Sequence, residues 1–179
     1  ETSLQATGLL HVDVFGSAGD EQFEVSAPAV SGLEVAIDGN GGIDEILGNL
    51  PNDTVSKSFW TITQPGVGNW KAGETASVNF TQIENIVGVA DHEDIFEFQN
   101  GARLAGTVTG QLDDLDAAIL HVTAGEVSRE VWFEDGAVTV DQEVIYRHVN
   151  IADSENLVVT TTDSDDHVAF EATSDFGTF

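Results

Sequence analysis

The chain has 179 residues, of which 41% are apolar, and a formal net charge of −27 from 32 acidic and 5 basic side chains. This length and apolar content suffice for one folded domain with a sizeable core. Binding to nucleic acid or to an anionic membrane surface needs a basic face, which so acidic a chain does not supply. No apolar run approaches the roughly 18 residues of a membrane-spanning helix. The sequence therefore predicts no nucleic-acid partner and no membrane insertion.

The sequence contains no cysteine. This excludes a disulfide scaffold, a thiolate zinc site and a cysteine nucleophile, and it fits an exported bacterial protein that needs no oxidative folding. The first residues, Glu1 to Ser3, carry neither Met nor an apolar signal-like run. We therefore expect a processed mature chain or an excised segment.

Two physical explanations account for the high negative charge. Carboxylates gathered in turns can bind Ca²⁺. Alternatively, a solvated acidic coat keeps a protein soluble, as in salty surroundings. Acids clustered in turns favour bound cations at the turns, whereas acids spread along strands favour a solvated acidic surface. The sequence contains both arrangements, so both explanations stay open.

Apolar residues alternate with polar ones in short runs along the chain, and glycines separate the runs. Such period-two alternation predicts β-strands, and no sustained helical pattern competes with it. The sequence therefore predicts an all-β fold. The alternating runs in chain order are Leu10–Val14, Phe23–Val25, Leu33–Ile37, Phe96–Phe98, Val138–Val140 and Val168–Phe170.

Four sequence markers recur at spacings of 71 to 73 residues. An acidic pair precedes an alternating apolar doublet three times. Three other markers occur twice each. They are an alternating apolar run followed by a single aspartate, a tryptophan, and a Glu-Asn pair before two apolar residues. Internal repetition at a fixed period is the signature of a repeat architecture. The markers begin at Asp20, Glu93 and Asp165; at Leu33 and Leu104, followed by Asp44 and Asp116; at Trp60 and Trp132; and at Glu84 and Glu155.

The repeat predicts a parallel β-solenoid in a single repetitive domain, residues 1–179. A repeat of about 72 residues divides into three coils of about 24, which suits short strands stacked at the strand spacing. The repeats would cover about 16–87 and about 88–159, with a partial third at about 160–179. The alternative is a tandem pair of small β-sandwiches. Pro51–Asp53 and Gln64–Gly68 are expected as local loops of one coil.

The acidic turns are the candidate metal sites. The turn Gly39–Leu47, GNGGIDEIL, is one substitution from the calcium-binding nonapeptide G-G-x-G-x-D-x-U-x, and Gly16–Glu24 and Gly88–Phe96 are weaker matches. The other interpretation is that these acids only form turns through their own side chains. The candidate calcium ligands are Asp38, Asn40, Asp44, Asp20, Glu21, Asp91, Glu93, Asp94, Asp116, Asp163, Asp165 and Asp166.

Four phrases carry a resemblance to a known group of proteins. The chain resembles the β-strand repeats of very large bacterial surface proteins related to haemolysin-type (RTX-like) calcium-binding repeats. The resemblance implies export to the cell surface, an elongated repetitive fold, adhesive or matrix roles and bound Ca²⁺. The phrases are GSAGDEQFEV, LEVAIDGNGGIDEIL, FTQIENIVGVADHEDIFEF and GAVTVDQEVIYRHVNIADSENLVV.

The remaining chemistry-bearing residues point away from catalysis. His92 and His167 lie in acidic turns, and we expect exposed turn residues there. Trp60 and Trp132 share a repeat position, which favours core residues over a glycan-binding platform with Trp70. Neither a nucleophile motif nor a phosphate-binding loop is present, and the five basic residues are scattered. We therefore expect no enzyme, with a polysaccharide lyase as a remote alternative.

The expected function is structural: a module of a secreted bacterial surface adhesin, extracellular matrix protein or filament, stabilised by calcium. The alternative is a calcium-dependent glycan-binding module. Neither end carries a convincing polar cap, so the expected partners are neighbouring repeats of a longer chain or further copies stacked end to end. In the second case residues 1–12 and 171–179 would be the docking segments.

Overall fold

A computed structural model describes residues 11–26, 33–50, 57–72, 76–90, 92–110, 116–123, 130–134, 136–149, 154–160 and 167–168. Every helix or strand element in these residues is a β-strand, which confirms the all-β class predicted from the alternating apolar pattern. Across the same residues, no helix is long and apolar enough to span a membrane.

The described strands form two eight-stranded sheets. Sheet 1 contains, in spatial order, β1 (His11–Phe15), β3 (Leu33–Asp38), β7 (Ala76–Thr81), β6 (Val67–Ala72), β5 (Lys57–Gln64), β9 (Glu93–Phe98), β11 (Ala117–Thr123) and β15 (Ser154–Thr160). Sheet 2 contains, in spatial order, β16 (His167–Val168), β12 (Glu130–Glu134), β13 (Ala137–Val140), β14 (Glu143–Val149), β10 (Thr107–Thr109), β8 (Asn85–Val87), β4 (Glu45–Asn49) and β2 (Gln22–Ser26).

The chain passes back and forth between the two sheets. From β1 to β4 each strand lies in the sheet opposite to the strand before it, and the same holds from β8 to β12. Neighbouring strands within a sheet are therefore mostly joined by a crossover through the other sheet, and these pairs are parallel. This is the connection that parallel strands require, because a tight hairpin can join only antiparallel ones.

Two antiparallel excursions make both sheets mixed, which differs from the uniformly parallel stack predicted from the repeat. The chain stays in sheet 1 through β5, β6 and β7, and in sheet 2 through β12, β13 and β14. Pro65-Gly66 forms the turn between β5 and β6, and Gly66 has a φ of 64°. Proline sets the first φ of such a turn and glycine accepts a positive second one. The segment expected as a local loop is thus a hairpin turn.

The turn between β13 and β14 has a different local cause. Asp141 and Gln142 both have positive φ, at 52° and 69°. Two consecutive residues in this conformation match the twist of an antiparallel pair and favour a two-residue hairpin.

Equivalent positions of the 72-residue repeat lie in opposite sheets. The acidic pair that begins at Asp20 leads into β2 of sheet 2, and the pair at Glu93 begins β9 of sheet 1. Trp60 and Trp132 are likewise separated, in β5 and β12. Between equivalent strands the described chain makes five passages from sheet to sheet, an odd number. Three coils would make six passages and return each repeat to the same sheet, so the five passages observed differ from the three-coil division expected from the repeat.

The core lies between the two sheets. Inward-facing side chains of both sheets form one buried cluster, which contains Trp60, Trp70 and Phe96 from sheet 1 and Ile46 and Ile86 from sheet 2. Phe98 of sheet 1 stacks on Tyr146 of sheet 2, with ring centroids 4.4 Å apart. Along strands such as β5 and β9 burial alternates, because strand side chains have a two-residue period that places every second residue in the core.

Candidate functional site

The strongest predicted calcium turn connects β3 to β4. Asp38 ends β3, and its Oδ1 accepts hydrogen bonds from the Asn40 backbone N–H at 3.1 Å and the Gln82 side chain at 2.9 Å. Asn40 has a φ of 70° and donates its side-chain N–H to the Ser17 carbonyl at 3.0 Å. These two predicted ligands therefore connect neighbouring turns by hydrogen bonds.

Asp44, the third predicted ligand of this turn, is fully buried. Its Oδ1 accepts the backbone N–H of Glu21 at 2.9 Å, which joins β4 to the start of β2. Its Oδ2 is buried and has no hydrogen-bond partner among the described residues. Burial raises the pKa of Asp44, partly offset by the Glu21 N–H, while the negative charges of Glu21 and Asp20 raise it further.

The backbone at Gly39 lies close to the unpartnered oxygen of Asp44. A Cβ at residue 39 would lie 2.2 Å from the Gln82 carbonyl oxygen and 2.5 Å from Asp44 Oδ2. Both oxygens thus face the place that a side chain would fill, so this position requires glycine. These two oxygens are of the kind that a hard cation prefers as ligands, although there are only two of them.

The acids of the first turn bind backbone groups in the same manner. Asp20 Oδ1 accepts the N–H of Ile43 at 2.8 Å, and Glu21 Oε2 accepts the N–H of Ser17 at 3.0 Å. A carboxylate that accepts backbone N–H groups satisfies donors that a turn would otherwise leave unpaired. Asp20 and Glu21 are therefore bound into the hydrogen bonding of two successive turns.

The second repeat reproduces the Asp44 contact in the other sheet. Asp116 Oδ1 accepts the backbone N–H of Asp94 at 2.9 Å, and both residues are buried. Asp116 is 72 residues after Asp44, and Asp94 is 73 residues after Glu21. The same carboxylate thus binds the same backbone position in both repeats, although the sheets have exchanged.

Asp94 is also the centre of a buried polar network. Its Oδ1 accepts hydrogen bonds from the Ser58 hydroxyl and from Trp60 Nε1 at 2.8 Å, and its Oδ2 accepts the Val89 N–H at 2.6 Å. Trp70 Nε1 donates to Ser58 Oγ at 2.9 Å. The four side chains of this network, Asp94, Ser58, Trp60 and Trp70, are called the Asp94 network below.

Burial raises the pKa of Asp94 to about 7. The hydrogen bonds from Ser58, Trp60 and Val89 lower it, and the nearby charge of Asp116 raises it. Desolvation prevails because no cationic side chain accompanies the carboxylate in the network, so only neutral donors compensate the buried charge.

Trp60 and Trp70 are buried, with 0% and 1% of their surface exposed. Their rings stack with centroids 5.0 Å apart, and Trp60 also stacks on Phe96 at 6.1 Å. These two rings therefore form core, and neither can serve in an exposed glycan-binding platform. Trp132 lies in β12, where the structure does not describe its side chain.

The other predicted ligands are dispersed. Glu93 forms an ion pair with Lys57 at 2.7 Å on the sheet surface. His92, expected to be an exposed turn residue, is buried with Nδ1 at 2.8 Å from the Ala90 carbonyl. Asp91, Asp163, Asp165 and Asp166 lie outside the described residues. Within the described ranges no three His, Asp or Glu side chains are grouped so that they could hold a metal ion.

Sequence reasoning missed two polar residues that belong to the same set of contacts. Glu84 Oε2 accepts the N–H of Asp44 at 2.8 Å, and Asn85 Oδ1 accepts the N–H of Thr107 at 2.9 Å. The available signal was their recurrence as a Glu-Asn pair at the start of a strand. A polar pair that recurs there indicates backbone capping.

Comparison of the chain with protein-family models, with curated proteins and with solved structures finds no match. The geometry of the acidic turns is therefore the basis for a functional conclusion.

Proposed function

We propose that this chain is a structural repeat module of a secreted bacterial surface adhesin, extracellular matrix protein or filament. The observation that carries the proposal is the repeated contact: Asp44 binds the N–H of Glu21, and Asp116 binds the N–H of Asp94. Acids that recur in sequence and bind backbone groups of the neighbouring strand hold the architecture together. A catalytic carboxylate would instead be free to meet its substrate.

The strand pairing supports a flattened β-solenoid as the architecture of this module. Parallel partners are 22 or 23 residues apart at four pairings, as for His11 and Glu34. The other parallel pairings span 36 to 43 residues, because an extra hairpin or loop is inserted. A 72-residue repeat then corresponds to two and a half coils. Successive coils contact only their neighbours, which is how an elongated repeat protein extends.

A test of the structural role uses Asp116→Ala. The substitution leaves the buried N–H of Asp94 without its acceptor, which costs about 1–3 kcal/mol of unfolding free energy. The control is Asp13→Ala on the exposed face of β1, where we expect a change within about 0.5 kcal/mol. Urea unfolding followed by tryptophan fluorescence measures both. Removing an acid retained for binding or catalysis usually leaves stability unchanged or raises it, so a stabilised Asp116→Ala variant would contradict the proposal.

We propose further that the Asp44 turn binds Ca²⁺. The unpartnered Asp44 Oδ2 and the Gln82 carbonyl favour a cation there, whereas the dispersal of the other acids favours hydrogen bonding alone. A bound Ca²⁺ would neutralise the buried carboxylate of Asp44 and connect its turn to the Gln82 carbonyl.

Thermal unfolding in EDTA and in millimolar Ca²⁺ tests the calcium proposal. At 100 times the dissociation constant a ligand adds about 2.7 kcal/mol to the free energy of unfolding. We expect the midpoint of the natural chain to rise and that of Asp44→Asn to stay constant, with Mg²⁺ as the control for general screening. Equal midpoints in EDTA and Ca²⁺ would leave the acids as turn formers and a solvated coat.

A further inference from the structure

The described part of the molecule ends in unpaired strand edges at both ends of both sheets. β1 and β15 are the outermost described strands of sheet 1, and β2 and β16 are those of sheet 2. Each presents one side on which its backbone N–H and C=O groups have no strand partner among the described residues. Such edges are templates for pairing with another strand.

The core is partly open at the β1 and β2 end. Ile37 on β3 is 3% exposed, whereas its register partner Val14 on β1 is only half-buried. Ile46 on β4 is 0% exposed, and its partner Phe23 on β2 is also half-buried. In each sheet the inward-facing apolar side chains are therefore covered inside the molecule and only half covered at the end formed by β1 and β2. We call this end the head.

An internal copy of the repeat indicates what covers such a strand. β9 is the repeat equivalent of β2, and its Phe96 corresponds to Phe23. Phe96 is fully buried because β5 pairs with β9 on the side that β2 leaves open, with Trp60 as the register partner of Phe96. Among the described residues, the head thus lacks a parallel strand that the fold supplies elsewhere from its own repeat.

The opposite end, with β15 and β16, matches the head in sheet order and strand direction. In sheet 1 every strand except β6 runs in one direction, because the two antiparallel pairings that flank β6 cancel. The same holds in sheet 2 for every strand except β13. A head can therefore meet this tail with sheet 1 on sheet 1, sheet 2 on sheet 2 and all edge strands parallel.

We propose that the head binds the tail of a second copy of this chain, with β1 pairing with β15 and β2 pairing with β16 of that copy. The inference rests on the proposed structural function and names its partner. The contact joins two different surfaces, so it is heterologous and leaves a free head and a free tail at the ends of every assembly. Repeated addition then produces an open filament.

Charge regulates this contact. Each copy carries a formal net charge of −27, and the head includes the exposed acids Asp13 and Glu24. At low ionic strength the repulsion between copies opposes docking, and it weakens as added salt shortens the screening length from about 30 Å at 0.01 M to about 8 Å at 0.15 M. Association should therefore increase with salt, the reverse of contacts between oppositely charged surfaces.

Sedimentation velocity of the full chain tests the proposal at several salt and protein concentrations. We expect a monomer at low salt and a series of larger species at high salt. Val14→Lys places a charge among the half-buried apolar side chains of the head. It should raise the protein concentration needed for assembly at least tenfold. The matched control is Phe59→Lys, which changes a 44% exposed side chain on β5, a strand paired on both sides. Assembly of the control should be unchanged.

Disulfide trapping identifies the ends that meet, and the cysteine-free chain makes it specific. One variant carries Asp13→Cys in β1, and the other carries Asn156→Cys or Val158→Cys in β15. Neighbouring strands bring Cα atoms within the 4.4–6.8 Å that a disulfide spans. We expect mixed disulfides between the two variants under mild oxidation. Disulfides only between Asp13→Cys chains would overturn the head-to-tail arrangement.

Two further outcomes would overturn the proposal. The first is a chain that stays monomeric at every salt concentration. The second is a chain that associates only after residues 1–10 are removed, which would show that these residues cover the head within one copy. Neither result affects the structural role of Asp116, because its test measures the unfolding free energy of a monomer. A failure of assembly is thus distinguishable from a failure of the proposed function.

Discussion

Asp94→Asn provides the sharpest test of the buried polar network. The pKa of Asp94 rises to about 7 from its ordinary 3.8. A difference of this size is worth about 4 kcal/mol at 1.36 kcal/mol per pH unit. Because the folded-state pKa is raised, the folded protein holds a proton that the unfolded chain has released between these two pH values. The contribution of Asp94 is therefore fully present below pH 3.8 and is lost as pH rises to about 7.

The asparagine variant removes this titration and keeps the shape of the side chain. Its Oδ1 can accept the bonds from Ser58 and Trp60, while its Nδ2 faces the Val89 N–H, a conflict worth about 1–3 kcal/mol at every pH. The informative quantity is the unfolding free energy of the natural chain minus that of Asp94→Asn. From pH 5 to pH 8 it should fall by about 3 kcal/mol, the part of the titration that lies within that range.

Urea unfolding followed by the fluorescence of Trp60 and Trp70 measures the difference, and working at pH 5 or above avoids the sequence pI of about 4.1. Asp13→Asn, an exposed acid on β1, serves as the control and should give a flat difference over the same range. Subtracting the unfolding free energy of each variant from that of the natural chain removes the general pH effect of the acidic surface, because both chains share it. A difference that does not change with pH for Asp94→Asn would refute the reasoning, because it would mean that solvent or a cation reaches the carboxylate.

Three further changes test other parts of the structure. Gly39→Ala should cost about 1–3 kcal/mol, because its Cβ would lie 2.2 Å from a backbone carbonyl oxygen; Gly41→Ala meets nothing within 4 Å and should change the unfolding free energy by less than about 0.5 kcal/mol. Trp60→Phe removes a ring stack and a buried hydrogen bond, and it should cost about 2–4 kcal/mol and abolish the near-ultraviolet circular dichroism of the paired indoles. Lys57→Ala breaks an exposed ion pair and should cost less than about 1 kcal/mol, decreasing with added salt.

Much of the fold could be predicted from local sequence signals. Alternation such as Phe96-Glu-Phe98 can be satisfied only by a strand with one face in the core, so the all-β class follows from the period of the pattern. The recurrence of Asp44 at Asp116 correctly indicated equivalent positions, since the two side chains form the same backbone contact. The tight turn at Pro65-Gly66 also lies in the sequence, although a turn by itself does not say whether it ends a coil or joins a hairpin.

The candidate site was less predictable. A carboxylate in a glycine-rich turn has the same sequence signature whether it binds calcium or a backbone N–H, because both uses need an exposed oxygen and a chain that can approach it closely. The turn of Asp44 contains both possibilities, with one oxygen bonded and one without a partner. The burial of Asp94 has no local sequence signal, since its partners Ser58 and Trp60 are more than 30 residues away.

The strands, the 72-residue repeat and the acidic turns follow from side-chain alternation and from local backbone preferences, and both are present in the amino-acid sequence. The arrangement of the repeats in the two sheets depends on contacts between strands that are distant in sequence. Of the seven steps from strand to strand between β2 and β9, the two that join β5, β6 and β7 stay in one sheet and five cross to the other, and this odd number of passages exchanges the sheets of equivalent strands. The alternation of apolar and polar residues is the same for a strand in a coil and for a strand in a hairpin, so the local sequence does not distinguish the two connections. The choice is made by contacts between distant strands, such as Trp60 with Phe96 and Trp70.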